Sequence, residues 1–384
     1  MDFDRLDIVC LRARRGEKWT TYPEDVLPAW VADMDFPLAE PLQRYLDELR
    51  QTQDLGYPVN PTPAALPTVF AKRMQDRFGW SVDPERVEVL TDVVQGLYAA
   101  LWTLSDPDQA ALVQTPVYPP FLSCVREVGR PRRTNPLVRG ERGYEIDFDA
   151  LRAEVGADTR TLLLCNPQNP TGRAFTRAEL ARLGELAVDR NLLILADEIH
   201  GDLVFPGSEH VPIASLDPEV AERTITFTSA SKAFNIAGLR CAVAHFGSEA
   251  LQSRFNSLPR HLRGGLGSLG LAANAIAWSE CQPWLDEVLS VLDRNRRRVD
   301  EFVRERLPGV RMTPPEATYL AWLDCRELEL EREPYEFFLS EARVALSPGP
   351  SFGQGGRGFV RLNFATGEAL LNEILERMAG ALGG

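Results

Sequence analysis

The chain carries its apolar residues in short, dense runs separated by longer stretches of helical spacing. Residues 87–90, 110–114, 161–165, 192–196 and 223–228 are such runs. Mainly apolar segments of that length, bounded by turn residues, predict strands buried on both faces of a sheet. Between two of them, Thr176 and Glu179 form the Ser/Thr-x-x-Glu signature of a capping box, which opens a helix whose Leu180, Leu183 and Ala187 share one face. Strand, helix and strand in that order predict a right-handed βαβ unit of a parallel sheet. Helical spacing over 95–104, following the run at 87–90, repeats the arrangement. The pattern predicts an α/β protein: a large domain over 46–284 with a mostly parallel sheet, left by a long amphipathic helix over 284–307 (Leu285, Val288, Leu292, Val299 and Phe302 near one face). Strands at 319–323 and 359–364 and a closing helix at 369–378 predict a smaller α+β domain over 285–384. The first segment, 1–45, is expected to pack against it.

Charge narrows the class of partner. With 42 Lys and Arg against 55 Asp and Glu in 384 residues, the net charge is -13, which argues against nucleic acid or an anionic membrane. Apolar residues at 44% suffice for a large core. The chain has no run of eighteen apolar residues, and charges at Asp2, Asp4, Arg5, Asp7 and Arg12 interrupt any signal-peptide core, so a cytoplasmic address is expected. The six cysteines show no Cys-x-x-Cys pair and the four histidines no metal-ligand spacing, so no metal site is expected. Difficult chemistry in this chain would need an organic cofactor.

In an open parallel sheet the ligand lies at the carboxyl ends of the strands, and four segments there carry candidate chemistry. Ser229-Ala230-Ser231-Lys232 follows one run, with Arg240 eight residues beyond the lysine. A loop lysine is ordinarily a solvated charge. Here two small hydroxyls and Arg240 make a cup suited to a phosphate dianion, and an amine beside it could condense with a cofactor aldehyde as a Schiff base. Asp197, at the start of Asp197-Glu198-Ile199-His200, would face a pyridine nitrogen and keep it protonated; the commoner role of such an acid is a helix cap. Cys165-Asn166-Pro167-Gln168-Asn169-Pro170-Thr171-Gly172 either makes simple turns or aims the amide of Asn169 into the cleft. Tyr118 either stacks on a flat ring or fills the core.

Asn169, Asp197, His200, Ser229, Ser231, Lys232, Arg240 and Arg361, in that order and spacing, resemble fold type I pyridoxal-phosphate enzymes of the class I/II aminotransferase superfamily. The strings Trp30-Val31-Ala32-Asp33-Met34-Asp35-Phe36-Pro37, Asp197 to Val204 and Pro315 to Asp324 resemble the cystathionine β-lyase subgroup, the MalY/PatB-like C–S lyases. The resemblance runs from Trp30 nearly to the C-terminus. It implies a pyridoxal 5′-phosphate held covalently by Lys232, with Asp197 on the ring nitrogen, Asn169 and His200 near the ring hydroxyl and Tyr118 over the ring. Ser229, Ser231, Arg240 and the amides around Gln95 and Gly96 would hold the phosphate. Tyr57 would reach it from a neighbouring subunit, making the functional unit a homodimer. Arg361 would grip the substrate carboxylate, and Asp33 belongs to the same substrate-binding region.

The activity implied is α,β-elimination of cystathionine or another cysteine S-conjugate to thiol, pyruvate and ammonia. An aminotransferase would use the same residues, and a regulatory or binding protein could occupy the same fold. His200, where typical aminotransferases carry tyrosine, favours the lyase. Gln168, where related lyases often show histidine, and Asp92 and Gln95, in a turn that commonly contains Gly and Pro, depart from the subgroup.

Overall fold

A seven-stranded sheet forms the centre of the computed structural model, which describes residues 2–58 and 65–383. Across it the order is Val87–Leu90, Ala242–Phe246, Thr224–Thr228, Leu193–Asp197, Thr159–Cys165, Ala110–Thr115 and Arg132–Pro136. Ala242–Phe246 runs antiparallel to both neighbours, and the other pairings are parallel. Alternate side chains serve opposite faces. Leu162 and Leu164 pack with Leu180, Leu183 and Ala187 of the Arg177–Asp189 helix, while Leu163 and Cys165 pack with Leu97, Leu101 and Phe121 on the other side. Burial on both faces is why these strands read as unbroken apolar runs.

The fold is α/β with a mostly parallel sheet, as expected, and the predicted strands appear within two residues of their expected ends. Two strands of this seven-stranded sheet lie outside the predicted runs. Arg132–Pro136 is a polar edge strand that pairs only with Ala110–Thr115, a position where proline is tolerated. Ala242–Phe246 is a fully buried, mainly apolar run of the same kind as the predicted strands. The capping box forms: the Thr176 amide donates to Glu179 Oε2 at 2.7 Å, and the Glu179 amide to Thr176 Oγ1 at 3.2 Å.

The helix Gln282–Arg306 buries Leu285, Val288, Leu292, Val299, Phe302 and Val303. Beyond it, Arg311–Met312, Leu320–Asp324, Phe359–Asn363 and Ser347–Pro348 form an antiparallel sheet in that order, and Glu368–Leu382 is the last helix. The chain's first segment meets this part directly: Leu27–Pro28 pairs parallel with Val344–Ala345, and the Asp35 amide donates to the Ala365 carbonyl at 3.0 Å. Phe3, Met34 and Phe36 share one core cluster with Val299, Phe302 and Leu371. Among the described residues, no helix is long and apolar enough to cross a membrane.

Candidate active site

Because Ala110–Thr115, Thr159–Cys165, Leu193–Asp197 and Thr224–Thr228 run parallel, their carboxyl ends open on one edge of the sheet. Tyr118, Asn169, Asp197 and Lys232 follow those ends. Arg361 comes from the middle of the Phe359–Asn363 strand, and residues 30–36 run between the two sheets' contributions.

Asp197 ends its strand only 4% exposed, with Oδ1 accepting the Ile199 amide at 3.0 Å. Burial pushes its pKa up to about 7; the Ile199 bond and the Lys232 charge oppose that rise, and Glu198 adds to it. His200 is buried and held near pKa 3 by desolvation, with Lys232 and Arg361 adding to the depression. Its Nδ1 has no hydrogen-bond partner among the described residues, and its ring meets that of Tyr319 edge-on, centroids 6.2 Å apart.

Lys232 Nζ donates to the Ala32 carbonyl at 2.9 Å. Burial lowers the pKa of this amine, the Arg361 charge lowers it further, and Asp33 and Asp197 pull it back up. The Asp33 carbonyl is held by Lys18 Nζ at 3.1 Å and Asn363 Nδ2 at 2.7 Å. Arg361 Nη1 donates to Asn169 Oδ1 at 2.9 Å, and Nη2 donates to the Trp30 carbonyl at 2.9 Å and Ser347 Oγ at 3.0 Å. The guanidinium lies over the Phe352 ring, its Nε is buried without a partner, and burial lowers its pKa to about 10. Tyr118 is half-buried, and its phenol is pushed up by desolvation, with the Arg361 charge opposing.

Ser229 holds its own loop. Its Oγ donates to the Cys241 carbonyl at 2.6 Å and accepts the Ser231 amide at 3.0 Å, while Asn274 Oδ1 receives the Ala230 amide at 3.0 Å. Ser231 is half-buried, and its hydroxyl makes no hydrogen bond among the described residues. Arg240 Nη2 lies 2.5 Å from Asp92 Oδ2.

The expectation that the amides of Gln95 and Gly96 face an anion needs correction. Gln95 N–H donates to Asp92 Oδ1 at 2.8 Å and Gly96 N–H to the Asp92 carbonyl at 3.1 Å. The N-cap carboxylate takes the first and the opening helical turn the second. The amides at this helix end with no acceptor among the described residues are those of Val93 and Val94. Gly96 serves packing instead: a Cβ there would lie 2.6 Å from Leu90 Cδ1 and 2.9 Å from the Phe227 ring. Tyr57 is 103% exposed in the single chain and touches none of these residues.

Several participants escaped sequence reasoning. The carbonyls of Trp30 and Ala32 carry no side-chain signal at all. Tyr319, whose Oη donates to the Ala32 carbonyl at 2.8 Å, lay inside a recognised string without being singled out. Asn274 was findable as a polar residue among the buried positions of the Ser268–Glu280 helix. Gln168 is structural: Nε2 donates to the Pro116 carbonyl at 2.5 Å, and Oε1 accepts from the Thr171 amide at 2.9 Å and hydroxyl at 2.6 Å.

The chain is similar to known proteins over nearly its whole length. Residues 31–378 match the family described as aminotransferase class I and II. Cystathionine β-lyase PatB of Bacillus subtilis is 38% identical over 361 residues, covering 93% of each chain. Cystalysin from Treponema denticola, which contains a pyridoxal 5′-phosphate cofactor, superposes with a TM-score of 0.93 at 31% identity, covering 100% of this chain and 99% of its own. The PLP-bound C–S lyase from Staphylococcus hominis does so with a TM-score of 0.92 at 30% identity and the same coverage.

Proposed function

The chain belongs to the class I and II aminotransferase family, and from that membership we propose that it is a pyridoxal 5′-phosphate-dependent C–S β-lyase, cleaving cystathionine or another cysteine S-conjugate to thiol, pyruvate and ammonia. Asp197 carries the cofactor assignment. It is a buried carboxylate with no ion-pair partner among the described residues, and burial raises its pKa. A cationic ring nitrogen is the partner such a site accommodates. The open Nδ1 of His200 and the uncommitted hydroxyl of Ser231 fit the same group.

When bound, pyridoxal 5′-phosphate supplies an aldehyde for covalent capture of an amine and a cationic ring that accommodates the electron pair left at Cα. Lys232 is the amine this chain offers. Its lowered pKa keeps more of it unprotonated near neutrality, so with substrate in its place the free Nζ can take the Cα proton. Asp197, ionised beside a cationic ring nitrogen, would hold the proton there. Asn169 commits Oδ1 to Arg361, which leaves its Nδ2 as a donor for the ring hydroxyl. Arg361 presents a planar fork, fixed by Trp30, Ser347 and Asn169, to the substrate α-carboxylate, with Asp33 at the same side of the cleft. Tyr118 would flank the ring. Ser231, Arg240 and the amides of Val93 and Val94 would hold the phosphate, with Ser229 ordering their loop. The full exposure of Tyr57, together with exposed Leu55 and Leu262, supports a homodimer in which Tyr57 reaches the partner's phosphate. The six cysteines are all free, which suits a cytoplasmic location.

Thiol, pyruvate and ammonia released from cystathionine or a panel of cysteine conjugates, with no keto acid present, is the expected result. No product from any conjugate rejects the lyase. A half-turnover that stalls until a keto acid is added identifies an aminotransferase instead. Lys232→Ala should lose the visible absorbance of the bound cofactor while keeping its far-UV spectrum, and a variant that keeps both would refute covalent attachment at this lysine.

A further inference from the structure

We infer that Asp92 is a positioning residue that fixes Arg240 for the cofactor phosphate, and so sets how tightly this chain retains that group. The inference rests on the phosphate cup proposed above. Asp92 is the N-cap of the Val93–Leu104 helix, with an extended backbone (φ -163°, ψ 168°). Its carboxylate divides its two oxygens between its own helix and an arginine 148 residues further along the chain: Oδ1 accepts the Gln95 amide at 2.8 Å, and Oδ2 accepts Arg240 Nη2 at 2.5 Å. One side chain therefore joins the helix end, with its open Val93 and Val94 amides, to the arginine of the loop after Thr224–Thr228.

Arg240 needs that help. Its side chain is 64% exposed, it follows a short turn in the left-handed region (φ 50°), and Asp92 is the only hydrogen-bond partner of that side chain among the described residues. An arginine so exposed would otherwise spread over many rotamers, and ordering it costs side-chain entropy each time an anion binds. A guanidinium has five N–H donors in a rigid fork. Asp92 engages one nitrogen, which leaves the rest of the fork free in a restricted orientation. The opposing effect is charge, since a carboxylate beside a dianion repels it. Here the Gln95 amide and the Arg240 guanidinium take up that charge, so the restraint on Arg240 dominates. The far wall is tied as well: Gln95 Nε2 donates to the Leu262 carbonyl at 3.2 Å, and Thr91 Oγ1 to the Gly265 carbonyl at 3.1 Å.

Asp92→Asn separates the two tasks, because asparagine still caps a helix but lacks the charge that holds Arg240. Apoenzyme is titrated with pyridoxal 5′-phosphate, with pyridoxal and with inorganic phosphate, the last read as protection against thermal unfolding. The expected result is a loss of about fivefold in affinity for the two phosphate ligands, the scale of a partly exposed ion pair. Binding of pyridoxal should be unchanged. Arg240→Ala should lose more, and adding Asp92→Asn to it should change nothing further. Asp92→Ser, which also keeps a capping oxygen, is read the same way should the Asn variant fail to fold. Equal or tighter phosphate binding by these variants overturns the inference and marks Asp92 as a competitor for the cup. Wild-type apoenzyme that binds pyridoxal as tightly as its phosphate ester instead overturns the cup itself, and the inference with it.

Discussion

Lys232 Nζ and Tyr319 Oη end on the same atom, the carbonyl oxygen of Ala32, at 2.9 and 2.8 Å. The neighbouring carbonyls behave alike. That of Trp30 holds Arg361, that of Asp33 holds Lys18 and Asn363, and those of Met34 and Phe36 hold Asn235. The strip 30–36 thus orients the amine and guanidinium of the cleft through its backbone, and the side chains that pin the strip matter as much as those that face substrate.

Tyr319→Phe removes one of the two donors on the Ala32 carbonyl while keeping the ring against His200. Urea denaturation of the apoenzyme should show a loss of about 1 kcal/mol, the net worth of one buried hydrogen bond whose acceptor keeps another donor. The visible absorbance of the holoenzyme should persist. Loss of cofactor binding in this variant would mean that Tyr319 does more than support the strip.

The strip itself is anchored by a buried pair. Lys18 Nζ lies 2.8 Å from Asp35 Oδ2, and Trp19 Nε1 donates to Asp35 Oδ1 at 2.8 Å. Lys18→Met leaves the buried Asp35 with only the more distant Arg14 as counter-charge, its Nη1 4.0 Å from Oδ1, so chemical denaturation should report a loss of about 3 kcal/mol. A change below about 1 kcal/mol would show that the anchor is dispensable.

The titrations of Asp197 and His200 act in opposite directions on the apoenzyme. Asp197 has a folded pKa near 7 against 3.8 for a free carboxyl, so the folded state binds the extra proton between those values and its contribution to stability falls as pH rises through them. His200, near 3 against 6.5, leaves the unfolded chain to bind the extra proton, so its contribution falls as pH drops through that window. Asp197→Asn should therefore gain stability relative to wild type between about pH 5 and pH 8, and His200→Gln should gain relative to wild type as pH falls from about 6 to 4. Melting temperatures of the apoproteins at those pH values decide both, and parallel curves would refute the assigned burial effects.

Arg361→Lys keeps a charge but loses the fork, along with most of the bonds to Asn169, Trp30 and Ser347. Steady-state kinetics should show kcat/KM reduced by at least about 30-fold, near 2 kcal/mol for truncating a buried, hydrogen-bonded ionic contact. A substrate lacking the α-carboxylate should lose its discrimination against the variant. Unchanged kinetics would remove Arg361 from substrate binding.

By itself the sequence determined the parallel core and the identity of most charged groups at its edge. Strands such as Thr159–Cys165 and Leu193–Asp197 are buried on both faces, and the Thr176–Glu179 capping box is closed by residues three apart, so local pattern suffices for each. Asp197 and Lys232 stood out as chemically apt residues directly after strand ends, whereas Arg361 was singled out only through the family resemblance. Only the tertiary structure decided what positions them. Carbonyls such as that of Ala32 are the same atom in every residue type, and the polar edge strand Arg132–Pro136 exists because Ala110–Thr115 offers it hydrogen bonds. Asp92 joins Arg240 across 148 residues of chain. Contacts of these kinds depend on which segments folding brings together, and no spacing along the chain records that.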